Sequence, residues 1–311
     1  MSRPAARPGP ARPQASHSAP PASRAGIRVA PPKESAGRGP EAPWWRPDWS
    51  SGPGRSAACE EDAASARVAS ALLGGKDHFR PDRTAAERLR QTAPGWAREA
   101  ASARALVLDL SVRLAACGIS QYLDLGCGLT TGNQMSPKAL LPLHSVLLAL
   151  APGTRVVYAD RDPVVMAHAR ALLHSPVPGA VRHLDADLAR PHDLLAALHD
   201  EPARLNLAKP VAVILSDVLH EMKDHEASRL LDALHTALTP GSALLLSHRV
   251  PDGDRARRAA VAAVHAGAGL AWNPRTPARI SELAGGWSPM TPPTPLPGFT
   301  VALLTNGQNT R

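Results

Sequence analysis

Downstream of Gly118, short apolar runs alternate with longer stretches whose apolar residues recur at helical spacing. The runs are Gln121–Leu125, Arg155–Ala159, Ala180–Leu184, Val211–Leu215 and Ala243–Ser247. Each is too short for a helix and aliphatic enough to be buried on both faces. Between them lie the amphipathic stretches Ala139–Leu150, Val164–His174, Leu194–Asp200 and Glu226–Leu238. Strand–helix alternation of this kind predicts an α/β fold with a mostly parallel, doubly wound sheet and helices on both faces. Asp254–Ala266 has the pattern of a further helix, and Phe299–Leu304 that of a last strand.

Upstream the period changes. Glu60–Ala116 is helical in pattern, with a break at Leu72-Leu73-Gly74-Gly75-Lys76-Asp77. This predicts an N-terminal helical cap over residues 57–118, ahead of a Rossmann-like body over 119–311. Residues 1–56 show neither period and are rich in Pro, Arg, Ser, Ala and Gly. Such a segment buries too little apolar surface to offset its ordering entropy, so a disordered tail is expected there. Trp44, Trp45 and Trp49 are its candidate docking residues.

Composition narrows the picture. Hydrophobic residues make up 44% of the chain but aromatics only 3%, so aliphatic side chains and Ala must build the core. The net charge of +8 invites a nucleic-acid reading. Its location argues against one, because residues 1–56 hold nine Arg and Lys against three acidic residues, leaving the body close to neutral. No specific nucleic-acid partner is expected. No run approaches the roughly 20 apolar residues of a membrane span. The N-terminus lacks a signal-peptide core, and its prolines forbid the amphipathic helix of a transit peptide. Cys59, Cys117 and Cys127 are too few and too far apart for a disulfide framework or a zinc knuckle. A cytoplasmic protein without membrane attachment is the expectation.

In doubly wound sheets, ligands bind beyond the carboxyl ends of the strands. The first run ends Asp124-Leu125-Gly126-Cys127-Gly128. Glycines there let backbone pass close to a ligand, and an acid two positions earlier can hold an ammonium. The second run ends at Asp160, a carboxylate able to accept both hydroxyls of a ribose. After the third, Asp187 is preferred over Asp185 as acceptor for an adenine amino group. The fourth ends Ser216-Asp217-Val218-Leu219-His220, polar groups directed to the same crevice. Together these point to an adenosine-type ligand. NAD(P) is the rival. The glycines run Gly126, Gly128, Gly132 with Thr131 at the last expected glycine position, and neither Tyr122 nor Tyr158 is followed four residues later by Lys. Asp124 suits the amino-acid end of S-adenosylmethionine (SAM) and has no role beside a pyrophosphate. His220-Glu221-Met222-Lys223-Asp224-His225 misses the zinc motif by one position and follows a strand rather than opening on a helix, so no metal is expected.

With these residues in place the chain resembles the actinobacterial family of SAM-dependent methyltransferases long known only as a domain of unknown function. The likeness runs from about Ala66 to Leu283. It includes Leu72–Asp77, Phe79, Asp82-Arg83, Asp124–Leu129, Gly132-Asn133, Val156–Asp160, Asp162-Pro163, Ala186–Leu188, Val218–His220, Pro240-Gly241 and Ser247-His248. It implies a class I methyltransferase fold, SAM as cofactor, and cofactor contacts at Gly126, Gly128, Asp160 and Asp187. Departures cluster in the cap: Ala69-Ser70-Ala71 where the family has Tyr-Asp-Tyr, His78 in place of Asn, and Ala103-Arg104 in place of Asn-Arg. Lys76, Asp77, His78 and Arg104 are the cap candidates for substrate contacts. His220 is the candidate base for a small-molecule acceptor. A SAM-binding regulatory or scaffold protein with little catalysis, and a nicotinamide oxidoreductase, are the alternatives.

Overall fold

Six strands form the frame of one sheet: β1 (Gln121–Leu125), β2 (Arg155–Asp160), β3 (Val181–Asp185), β4 (Ala212–Ser216), β5 (Ala243–Arg249) and, far downstream, β8 (Phe299–Thr305). The computed structural model describes residues 61–129, 141–200 and 205–307. The expected tail, its three tryptophans, and Gly132 and Asn133 lie outside the described residues. The first five strands are parallel in the order β3-β2-β1-β4-β5, and β8 adds antiparallel to β5. Two short strands, β6 (Ser288–Pro289) and β7 (Thr294–Leu296), pair with β8. Strand order reverses between β1 and β4, which places the crevice of the fold beyond their carboxyl ends.

The helices cover both faces. Leu123, Leu125, Val213 and Leu215 point to the face covered by α6 (Pro191–Ala197), α7 (Asp224–Ala237) and α9 (Pro277–Leu283). Tyr122, Val156, Ile214 and Leu245 point to the face covered by α3 (Trp96–Ala116), α4 (Leu143–Leu150) and α5 (Pro163–Leu172). Burial on both sides explains why the strands are runs rather than alternations of apolar residues. A third, smaller core joins α1 (Ser65–Leu72), α2 (Arg80–Thr92) and α8 (Arg255–Gly267) through Val68, Leu72, Leu89 and Val261. These helices belong to the same compact unit as the sheet.

Some boundaries differ from expectation. The helix expected to open at Ala139 is described from Leu143, after Pro142. The helix α9 and strands β6 and β7 carry too few residues for a periodicity to register, although Thr276 capping Arg279 N–H and Pro277 at the first turn are a legible helix start. Among the described residues, no helix is long and apolar enough to cross a membrane.

Candidate functional site

The carboxyl ends of the strands form one wall of a cavity of about 760 Å³. At the end of β1, Gly126 and Cys127 N–H groups both donate to Ala159 O, at 2.8 and 3.1 Å, binding the loop to β2. Gly126 has φ 68°, and a Cβ there would lie 2.5 Å from Val218 Cγ2, so both conformation and space require glycine. Gly128 has φ 61° but open space around it. Its N–H donates to Asp160 Oδ2 at 3.1 Å, across 32 residues of sequence. Asp160 Oδ1 accepts from Asp162 N–H at 2.9 Å. Burial pushes the Asp160 carboxyl up to about 6, although both amides favour its ionised form. Asp187 lines the cavity and caps the following turn through Ala189 N–H, whereas Asp185 is exposed, ion-pairs with Arg170 and does not line it. Ser216 lines the cavity with its Oγ 3.2 Å from Ser247 Oγ.

A recess of about 80 Å³ opens beside this wall and shares Arg104, Gly126, Cys127 and Ser216 with the main cavity. Asp124 stands in the recess. Burial raises its carboxyl to about 6 against the pull of Arg104, with Asp160 adding to the rise. A carboxylate and a guanidinium in one small recess match the two charges of an amino-acid zwitterion.

The opposite wall comes from α1, α2, α3 and the segment Gly269–Asn273. Arg67, buried on α1, holds it in place. Its Nε donates to Asp82 Oδ2 at 3.1 Å, its Nη1 to Asp162 Oδ2 at 2.9 Å and its Nη2 to Asp62 O at 2.7 Å. Asp82 also accepts from Ala64 and Phe79 N–H. One buried guanidinium thus fastens α1 and α2 beside the end of β2. Lys76, Asp77 and His78 are not brought to the cavity. Lys76 is exposed, Asp77 lies 3.4 Å from His168 Nδ1, and His78 bonds Gly75 O. Of the four cap candidates only Arg104 reaches the site.

The turn after β4 joins the two walls. Asp217 has φ 53°, the one positive φ at a non-glycine among the described residues, and its N–H donates to Ser247 O at 2.9 Å. That conformation costs on the order of 1–2 kcal/mol for an L-residue, though Asp tolerates it better than most. The carboxylate is turned toward both His220 and Arg249. His220 Nδ1 lies 3.2 Å from Asp217 Oδ1, and Arg249 Nε 3.5 Å from Asp217 Oδ2. Both are ion-pair separations whose angles fall short of hydrogen bonds. Arg249 is 3% exposed, with its guanidinium 3.7 Å from the Trp96 ring centre and 4.1 Å from that of Phe299, and it reaches Glu99 at 3.3 Å. Burial works against ionisation of His220, but Asp217 outweighs it and the imidazole is held above its ordinary value. Asp217 is also penalised by burial, yet Arg249 and His220 keep it below the ordinary carboxylate range.

Further contacts hold the turn. The His220 carbonyl accepts from Asn273 N–H at 2.8 Å and from its Nδ2 at 3.1 Å, which brings Trp272 edge-on to the imidazole at 5.3 Å. Buried Arg275 donates to Leu219 O and to Asp224 at 2.7 Å each. In the segment that resembled a zinc motif, Asp224 is therefore tied to Arg275 and Arg279, and His225 is exposed on α7.

Sequence reasoning missed Arg67, Trp96, Arg249 and Trp272. Arg67 and Arg249 look in sequence like ordinary surface arginines. Their function as buried anchors depends on partners 15 to 150 residues away.

A family model described as S-adenosyl methyltransferase matches residues 55–294. Among solved structures, a Thermobifida fusca protein assigned to the methyltransferases is 30% identical, with a TM-score of 0.68 over 79% of this chain and 95% of that one. A DUF574 family protein from Streptomyces avermitilis is 26% identical, with a TM-score of 0.68 over 79% of this chain and 98% of that one. No curated protein matches the chain at a significant level.

Proposed function

The chain belongs to the S-adenosyl methyltransferase family and is a SAM-dependent methyltransferase, and from that premise we propose that it methylates a small-molecule acceptor whose proton is taken by His220. The observation that carries this reading is that the Asp217–His220 pair lines the same cavity as Gly126, Gly128, Asp160 and Asp187. The donor set fits the cofactor. Asp124 and Arg104 suit the ammonium and carboxylate of its amino-acid end, Asp160 the ribose hydroxyls, and Asp187 the adenine amino group. Ser216 lies where the two cavities meet. SAM supplies a methyl group already activated by its sulfonium, so the protein has to align an acceptor and manage one proton. Asp217 occupies the Nδ1 side of His220, which leaves Nε2 as the nitrogen that accepts from the acceptor. Arg249 and Glu99 keep Asp217 in place.

In this reading residues 57–118 act as the cap of the site and residues 119–311 as its SAM-binding body. The protein works in the cytoplasm, where thiols such as Cys117 and Cys127 stay reduced. The test is His220→Ala. SAM affinity by calorimetry stays as in the wild type, and methyl transfer slows by roughly 10²–10⁴-fold. Full activity in that variant removes His220 from the chemistry, and lost SAM binding makes it a structural residue.

A further inference from the structure

The helical wall of the cavity has a chemistry of its own. It is lined by Val68, Leu72, Leu89, Trp96, Leu270 and Trp272. Across α1, α2, α3 and Gly269–Asn273, Arg104 is the one charged side chain that lines the cavity among the described residues, and it also lines the recess with Asp124. His265 stands on this side too, with burial pushing its imidazole down to about 4, so it is uncharged at neutral pH. A charged group laid against such a wall would lose its hydration, with Arg104 the one charge on that side to replace it.

The wall is also aromatic, in a chain that has only two Phe, two Tyr and six Trp. Two of the three described tryptophans, Trp96 and Trp272, stand here. Trp272 stacks on His265 with ring centres 4.2 Å apart at 22°, and lies 5.3 Å from the centres of both Trp96 and His220. A chain this sparing with aromatics has placed an aromatic cluster beside its candidate base.

We propose that the acceptor is an uncharged, planar aromatic small molecule that offers a phenolic hydroxyl to His220. The inference rests on the cavity being one chamber for SAM and acceptor. The ring lies against the Trp96–Trp272 cluster, where aromatic faces are attracted beyond their area burial. A phenol is the hydroxyl suited to an imidazole base, since its pKa near 10 is several units below that of water or an aliphatic alcohol. In the step, the phenolic oxygen gains the methyl group as the methyl–sulfur bond breaks. Its proton passes to His220 Nε2, and S-adenosylhomocysteine and the aryl methyl ether leave.

The experiment uses the full chain saturated with S-adenosylhomocysteine and reads acceptor binding by calorimetry. Naphthol, hydroxynaphthoate and decalinol are the probes, and methyl transfer to each is then measured with SAM. Naphthol binds and is methylated, hydroxynaphthoate binds at least about tenfold more weakly, and decalinol is not methylated. Trp272→Leu weakens naphthol binding by about tenfold with SAM affinity unchanged. The acceptor class is overturned if the carboxylated ring binds as well as the neutral one. It is equally overturned if decalinol is methylated as fast as naphthol, or if naphthol does not bind. Failure of S-adenosylhomocysteine itself to bind takes down the shared-chamber reading, and this inference with it.

Discussion

The two walls of the cavity are built by different means. The strand-end wall is backbone work: a glycine loop tied to Ala159 O, and carboxylates that stand where the chain leaves each strand. Its residues occur in chain order, one group per strand. The helical wall is side-chain work. Segments from α1, α2, α3 and residues 269–273 meet there, and buried Arg67, Arg249 and Arg275 pin them to the body. A wall of the first kind accepts change in its helices without losing its ligand geometry. A wall of the second kind can be lost by removing one guanidinium.

Removing Arg67 is the sharpest way to break that contrast. In Arg67→Ala, Asp82 remains fully buried without its cation, and breaking a buried pair in this way costs about 3–5 kcal/mol. Thermal unfolding registers the loss. If SAM is held by the strand-end wall, the folded variant keeps most of its SAM affinity while acceptor binding fails. A variant with wild-type stability would show that the helical wall is held by its apolar core alone.

The next effect falls on the other wall. Asp160→Ala removes the acceptors proposed for the ribose, and hydrogen bonds to charged groups contribute about 1.5–3 kcal/mol each. SAM affinity falls by at least about tenfold with the fold retained. Asp160→Asn separates the ligand's share from the loop's, since an amide oxygen can still accept from Gly128 N–H. Unchanged affinity in both variants would take Asp160 out of the cofactor site.

The same division decided what the sequence could reveal. Five of the six frame strands were legible to within two residues because burial on both faces writes them as apolar runs, and β1 was legible in full. β5 runs two residues further, through His248 and Arg249, because a buried polar pair ends it. Asp124, Gly126, Gly128, Asp160, Asp187 and Ser216 could be picked out because the doubly wound fold sends ligands to strand ends. All six line the cavity or its recess. No rule of that kind governs the helical wall. Leu89 and Trp96 sit in amphipathic helices where any apolar residue could be core, and Trp272 belongs to a stretch with no period at all. Lys76, Asp77 and His78 stood out as a motif, yet their loop packs beside α5 through Asp77 and His168.

Within the strand-end wall, the two loop glycines give a smaller and finer test. Gly126→Ala meets both a positive φ and the Val218 side chain, whereas Gly128→Ala meets only the positive φ. The conformational cost is about 1–2 kcal/mol in each. Overpacking adds a further 1–3 kcal/mol or so at Gly126. Thermal midpoints measured without SAM therefore fall further for Gly126→Ala than for Gly128→Ala. Equal losses would mean that Val218 moves aside.

The smallest effect sets the two walls against each other through pH. Asp124 and Asp160 are both raised to about 6 by burial, and the contacts proposed for each call for its ionised form. A raised carboxyl gains its proton early as pH falls. At about pH 6 each is half protonated, so SAM affinity drops about threefold relative to neutral pH. His220 works in the opposite sense. Its neighbours are Asp217 and Glu221 on its own turn, Arg249 and His248 on β5, and His265 on α8, and the net effect holds its proton more firmly than an ordinary imidazole. Turnover at saturating SAM then rises with pH through a value above the usual imidazole 6.5. The affinity profile and the rate profile should separate cleanly, the first in calorimetry and the second in initial rates. Coincident profiles would assign both to one group, and a rate profile unchanged in Asp217→Asn would free His220 from the partner that the strained backbone at Asp217 supplies.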